Sequence, residues 1–300
     1  FWDITLEYTS WFQEKKQIEV EPVPVRKLDH ISEGAFRFRA TLEDSRTINA
    51  RQVVIAPGCR HFQNRPPELL NKLPAGSFVH TCDLVDFAAL RDHRCLIVGG
   101  RQSAFEWAAL LNEAGARSVH LSYRHDTPAF SAADWSWVTP LVEQIAEDPG
   151  WFRRLPPAGK EIVTRRLWAE GRLKVEPWLE DRVMKESVTL HPKTEVASVE
   201  PHADRLDVTL SSGNRIEVDR IILATGYKAA IEQVPFVSRG NLLACLAVQN
   251  GYPVLDEHFQ TNLPGLFATG FLATQDFGPF FAFTVSVRTS AKLIGQALIP

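Results

Sequence analysis

The residues best able to do chemistry in this 300-residue chain are glycines and an arginine, not an obvious acid, base or nucleophile. Arg94-Cys95-Leu96-Ile97-Val98 leads into Gly99-Gly100-Arg101-Gln102-Ser103-Ala104. A buried strand, a glycine turn and a helix start, in that order, open a dinucleotide-binding βαβ unit. The first small residue permits a tight turn, the second lets backbone approach a pyrophosphate, and the third lets helix pack on strand. Those positions fall on Gly99, Arg101 and Ala104. Arg101 departs from the pattern, and its side chain either contacts phosphate or crowds the backbone approach. Ser103, in the first helical turn, reads as a cap or phosphate contact and not as a nucleophile. The helix N-terminus after Gly100 adds a favourable dipole for an anion.

The next strand, Ser118-Val119-His120-Leu121-Ser122, ends in Tyr123-Arg124-His125. An acidic residue at that end would bond the ribose 2′-hydroxyl of NAD, whereas an arginine accommodates the 2′-phosphate of NADP. Arg124 stands about 20 residues after the turn, as the fingerprint requires, so NADPH is expected over NADH. The alternative for Arg124 is a solvated charge at a strand end.

The elements that must position these residues are legible as an α/β pattern. Residues 5–16 read as a short amphipathic helix, with 18–20 and 23–25 as edge strands. Residues 35–42 and 46–49 read as a hairpin turning at Glu43-Asp44-Ser45. Gln52 to Ala56 is an apolar run ending in Pro57-Gly58, expected to be a strand covered on both faces. Gln102 to Ala114 reads as a helix with Ala104, Ala108 and Leu111 on one face, stopped by Gly115. Residues 126–180 read as mostly helical. Strands follow at 187–190, 195–199 and 206–210. Arg220 to Ala224 is a second apolar strand, ending in Thr225-Gly226-Tyr227. Leu263 to Gly270 is a short strand reaching a glycine, and 284–298 a final helix. A hairpin followed by a strand ending in Ala-x-Gly thus occurs twice, at 35–58 and at 195–226.

Composition sets the outer limits. Three hundred residues make one large domain or two ordinary ones, at about 100–200 residues each. The 45% hydrophobic and 23% charged fractions suit a globular protein. A net charge of −3 gives no electrostatic case for nucleic acid or an anionic membrane as partner. No apolar run approaches the ~20 residues that span a bilayer, and no signal peptide is visible, so a cytoplasmic protein is expected. Cys59, Cys82, Cys95 and Cys245 form no CxxC pair, which argues against a redox dithiol or zinc site. Five of the eight tryptophans (135, 137, 151, 168 and 178) cluster in one segment and read as packing. His61, His80 and His258 lack ligand spacing and read as surface or hydrogen-bonded histidines.

Val98 to Ala104 resembles the NADPH fingerprint of flavin-containing monooxygenases and related bacterial flavoproteins. Ile222-Leu223-Ala224-Thr225-Gly226-Tyr227 is similar to their Ala-Thr-Gly-Tyr segment. Val54-Ile55-Ala56-Pro57-Gly58 resembles the matching segment of their FAD domain, with proline for threonine. Gly265 to Gly270 resembles the C-terminal segment that reaches the flavin. The group's signature Phe-x-Gly-x-x-x-His-x-x-x-Tyr/Phe is half present: Gly76 and His80 match, whereas Pro74 and Leu84 stand at the aromatic positions. The resemblance covers nearly the whole chain. It implies that Gly99, Gly100, Arg101, Gln102, Ser103, Ala104 and Arg124 serve NADPH, with Thr225, Gly226, Pro57, Gly58 and Gly270 at the cofactors. Asp276, in Asp276-Phe277-Gly278-Pro279-Phe280-Phe281, would lie near the isoalloxazine or merely in a loop closing the core. The family's N-terminal βαβ unit, which holds the ADP half of FAD, has no counterpart before Gly99.

The resulting expectation is a Rossmann-like NAD(P)-binding domain at 88–235, inserted into an incomplete FAD-binding domain of the same type formed by 1–87 and 236–300. The expected function is an FAD- and NADPH-dependent oxidoreductase, in the first instance a monooxygenase using molecular oxygen on a small organic substrate. No metal is expected. The alternatives are a flavin oxidoreductase with another electron acceptor, or a non-catalytic NADPH-binding protein lacking FAD. A homo-oligomer is left open.

Overall fold

A computed structural model describes residues 2–83 and 86–298 of the chain; the side chains of residues 2–5 and 33 lie outside that description, as does Leu84 of the half-present signature. By internal contacts the chain divides into two compact units, one of residues 1–53 with 232–246, the other of 54–231 with 247–300.

The first unit carries helix α1 (Trp2–Lys15) and an antiparallel meander of β1 (Val25–Glu33), β2 (Phe36–Leu42) and β3 (Thr47–Ala50). The expected strands at 18–20 and 23–25 do not form. Residues 18–24 are irregular, and a nine-residue strand starts only at Val25. Pro22 and Pro24 lack the N–H that a ladder needs, which delays pairing until the chain has passed them. The turn at 43–45 forms as the residue types require. Ser45 is left-handed at φ 71°, and the Asp44 carboxylate accepts from the Arg46 backbone N–H at 3.1 Å.

The second unit is built on a parallel sheet. Besides a short antiparallel pair at Val248–Gln249 and Tyr252–Pro253, its strands in chain order are β4 (Val53–Ile55, which starts at the boundary), β5 (Phe78–His80), β6 (Arg94–Val98), β7 (Ser118–Tyr123), β8 (Ala129–Phe130), β9 (Lys174–Val175), β10 (Val188–Pro192), β11 (Val196–His202), β12 (Arg205–Leu210), β13 (Arg215–Val218), β14 (Arg220–Leu223) and β15 (Leu266–Ala268). The main sheet runs β10-β7-β6-β14-β5, all parallel. Strand β6 sends Cys95 and Ile97 to a core shared with helix α2 (Gln102–Glu113), and Leu96 to a core shared with the β11-β12-β13 meander. The period-2 alternation of a strand buried on both faces accounts for the continuous apolar run in the sequence. Helix α2 ends as predicted at Gly115, where Ala116 N bonds Leu111 O and Gly115 N bonds Asn112 O, both at 3.0 Å.

Both copies of the sequence repeat fold as a three-stranded antiparallel meander that feeds a short strand, β4 in one copy and β14 in the other. The two strands differ in cover. The middle residues of β14 are fully buried, whereas Val54 in β4 is 41% exposed, so β4 is not the doubly covered strand its composition suggests. Among the described residues it pairs with β15 alone.

The segment after β7 holds α3 (Val138–Glu147) and α4 (Pro157–Gly171), with two short helices and the β8–β9 pair. Pro157 opens α4 at the position where a missing N–H costs nothing. The tryptophans here are not core. Trp135, Trp168 and Trp178 are exposed, and Trp137 and Trp151 only partly covered. Arginines cover several of them: Arg166 lies over Trp137 and Arg182 over Trp178. The final helix, α5 (Val287–Leu298), is preceded by a tight turn at 284–286.

Candidate functional site

The C-terminal ends of β6, β7 and β14 open onto a cleft of about 300 Å³ within the second unit. Crevices outside the carboxyl ends of parallel strands are where open α/β sheets bind ligands. Gly99, Gly100 and Arg101 line its floor after β6, Arg124 lines the end of β7, and Thr225 the end of β14. Asn64 and Glu195 complete facing walls. Five of the residues singled out from sequence therefore meet in one place, although they span 127 positions (99 to 225).

The glycines of the floor are set by the protein's own packing. A Cβ on Gly99, at φ +142°, would stand 2.4 Å from the Ala224 carbonyl oxygen. A Cβ on Gly100 would stand 2.3 Å from Cγ of Tyr123. Backbone hydrogen bonds hold the turn in the sheet: Gly99 N donates to Ser122 O at 3.0 Å, and Ala224 N to Val98 O at 2.9 Å. Three strands are locked together at the point where a phosphate would meet the start of α2.

Arg101 does not point freely into the cleft. Its Nη1 donates to the Arg172 carbonyl at 2.6 Å, and its guanidinium lies 5.4 Å from the centre of the Trp168 ring. Burial, then the nearby Arg172 charge, lowers its pKa. Arg124 is the opposite case. Its side chain is 79% exposed and meets Glu195 only at 3.7 Å, so its guanidinium is available to an anion entering the cleft. Among the three other residues of the motif, Ala104 is buried against the sheet and Ser103 is exposed on the helix. Gln102 is engaged on another face, donating to Glu106 at 2.9 Å and accepting from Glu176 N at 3.1 Å. None of the three lines the cleft.

The remaining candidates gather around a second set of glycines. Gly58, Gly226 and Gly270 have φ of +66°, +79° and +70°, and an added Cβ at each would meet nothing within 4 Å. Thr269 N donates to Ile55 O at 3.0 Å, joining the ends of β15 and β4 beside Gly270 and Pro57-Gly58. Next to them lies a ring of aromatic contacts: Phe62 stacks on Phe271 at 5.5 Å, Tyr227 meets Phe271 edge-on at 6.5 Å, and His80 meets Tyr227 at 5.4 Å. Asn64 ties the cleft to this set: its O accepts from the Thr225 hydroxyl at 2.5 Å, and its N–H donates to Gly226 O at 2.9 Å.

His80 is fully buried here. Its Nδ1 accepts from Cys82 N–H at 3.2 Å, so Nε2 carries the proton and donates to Gly226 O at 3.1 Å. That pair of bonds fixes a neutral ring, and burial pushes its pKa below the ordinary histidine value. Asp276 lies elsewhere. Its carboxylate accepts from Leu255 N at 3.0 Å and from Arg153 Nε at 3.3 Å, closing a loop and lining a different hollow.

Sequence reasoning missed Asn64, Glu195 and Trp168. Each comes from a loop or helix far from the glycine turn, and no local spacing announces it. The available signal was positional: Glu195 immediately precedes β11, the strand after β10, which is β7's neighbour.

Two family models, both described as pyridine nucleotide-disulphide oxidoreductase, match residues 4–148 and 161–286. The FAD-dependent urate hydroxylase of Xanthomonas campestris is 24% identical over 266 residues, covering 84% of this chain and 54% of that protein. The ferredoxin–NADP reductase of Mesorhizobium japonicum is 34% identical over 112 residues, covering 36% of this chain and 30% of that protein. The chain thus spans about half the length of the first relative and less than a third of the second. Among solved structures, the ornithine hydroxylase of Pseudomonas aeruginosa superposes with a TM-score of 0.71 at 19% identity, over 97% of this chain and 74% of that one. The parallel sheet, the glycine turn at its carboxyl edge and these matches agree: the chain has a Rossmann-like FAD/NAD(P) fold like that of flavin monooxygenases, and each of its halves matches a pyridine nucleotide-disulphide oxidoreductase model.

Proposed function

We propose that the cleft binds NADPH and that the open glycines at 58, 226 and 270 face a flavin, as parts of an FAD- and NADPH-dependent monooxygenase acting on a small organic substrate. The observation that carries this reading is the pairing of a packing-locked glycine turn with an exposed, weakly engaged Arg124 at the end of the neighbouring strand. The residues fit the nucleotide: the backbone at Gly99–Arg101 and the start of α2 suit a pyrophosphate. Arg124 suits a 2′-phosphate, for which a guanidinium fork is well shaped. The names of two relatives, an FAD-dependent hydroxylase and an NADP reductase, support the same pair of cofactors.

The residues around the second glycine set also fit a flat ring. Positive-φ glycines with open space in front let a planar group approach backbone closely. The neutral His80, donating to Gly226 O, holds that loop in shape without placing a charge beside it. On this reading residues 88–235 serve NADPH, and 1–87 with 236–300 serve the flavin. Bound flavin would supply the hydride and oxygen chemistry. The chain's part is to place the nicotinamide near Thr225 and to exclude water.

The test is direct. The protein, incubated with FAD and desalted, should retain flavin colour, and NADPH oxidation should consume oxygen and yield an oxygenated product. Retained flavin with NADPH oxidation but no oxygenated product would move the assignment to a reductase with another acceptor. Failure to retain FAD while still binding NADPH would leave a nicotinamide-binding protein.

A further inference from the structure

We propose that the Trp168 indole, held by Arg101, is the platform on which the adenine base of the dinucleotide stacks. This rests on the reading of the cleft as a nicotinamide-dinucleotide site. Trp168 lines the cleft and yet keeps 47% of its surface exposed. A large aromatic face left open inside a concave site is an unfilled stacking surface.

The side of the cleft on which it stands selects the base. Trp168 lies near the end of α4, which leads into β9, and β9 pairs with β8, the strand that follows β7. Strand β9 also packs on α2. This wall therefore belongs to the β7 side of the glycine turn, the side of Arg124. Thr225 and Asn64 form the β14 side. A dinucleotide with its pyrophosphate over Gly99–Arg101 and its 2′-phosphate at Arg124 lays its adenosine toward Trp168 and its nicotinamide toward Thr225.

Arg101 then has a use that accounts for its departure from the glycine pattern. Its side chain leaves the phosphate path, bonds the Arg172 carbonyl and covers one part of the indole. Arg101 is thus a positioning residue, and the indole is the group that would touch the ligand. Arg–Trp pairs recur in this segment, at Arg166–Trp137 and Arg182–Trp178, but among the described residues Trp168 is the tryptophan that lines the cleft.

The experiment measures binding of adenosine 2′,5′-bisphosphate and of nicotinamide mononucleotide to the wild-type chain, Trp168→Leu and Trp168→Phe, by calorimetry, with thermal melts as the folding control. Loss of one base–aromatic stack predicts about tenfold weaker bisphosphate binding in Trp168→Leu. Trp168→Phe should keep most of the affinity, and nicotinamide mononucleotide should bind all three alike. The bisphosphate should also quench tryptophan fluorescence in the wild type, and that quench should vanish in Trp168→Phe. Unchanged bisphosphate binding in Trp168→Leu, a persisting quench in Trp168→Phe, or a loss confined to nicotinamide mononucleotide would overturn the platform. A wild-type chain that binds neither fragment would instead overturn the nucleotide reading beneath it.

Discussion

Two sets of glycines stand at the ends of this molecule's strands, and they are glycines for different reasons. Gly99 and Gly100 are crowded by the protein, with a neighbouring carbonyl or ring less than 2.5 Å from where a Cβ would sit. Gly58, Gly226 and Gly270 are crowded by nothing, and a left-handed backbone is what excludes side chains there. The first set builds the fold's central corner; the second presents bare backbone to open space. A glycine that looks like a ligand contact in sequence can therefore also be a packing device, fixed by the protein's own neighbours.

Substitution separates the two. Gly99→Ala combines a strained φ with a clash against backbone that cannot move aside, and is expected to cost about 3 kcal/mol of folding stability. Chemical denaturation would show it as a lower midpoint, with or without any cofactor present. Gly226→Ala meets only the strain of a left-handed alanine, about 1 kcal/mol, and should show its larger effect as lost FAD retention. Equal destabilisation by both substitutions would erase the distinction.

How much of this was legible beforehand follows the same division. The Gly99 turn and Arg124 could be placed together because strand, turn and helix are local patterns with fixed spacing, whereas Thr225, 126 positions after Gly99, was legible only through its family-like Ala-Thr-Gly-Tyr segment. The α2 stop at Gly115 and the hairpin turn at Asp44-Ser45 are equally local. Trp168 and Glu195 were not legible as cleft residues, because tertiary packing of distant segments puts them there. The tryptophan cluster read as packing, and Trp137 does pack on a buried cluster, but sequence spacing does not reveal that arginines lie over Trp137, Trp168 and Trp178. Asp276's partners, Leu255 N and Arg153, are likewise distant in sequence, and no local spacing announces them.

The buried histidine beside the second set gives a smaller effect with a definite sign. His80 is neutral when folded, and its pKa lies below the ordinary value near 6.5. The unfolded chain takes up a proton that the folded one refuses, so His80's contribution is complete above about pH 6.5 and is lost as pH falls through the folded pKa. His120 and His191, in contact at 3.1 Å and both lowered by burial, act in the same direction. Folding stability should decline on acidification below that point, by up to about 1.4 kcal/mol per pH unit for each ring that resists protonation, and the melting temperature should fall with it. His80→Gln should flatten part of that slope; a slope identical to wild type would remove His80 from this role.

The central claim is that the cleft selects the 2′-phosphate through Arg124, and one titration tests it. NADPH and NADH are titrated into the wild-type chain and into Arg124→Ala at low ionic strength. Because Arg124 is exposed and holds Glu195 only at 3.7 Å, the substitution should leave the melting temperature unchanged. It should weaken NADPH by a charge-assisted contact, roughly 1 kcal/mol after screening, and leave NADH nearly untouched. Equal weakening of both nucleotides, or a wild-type chain that does not prefer NADPH, would contradict it.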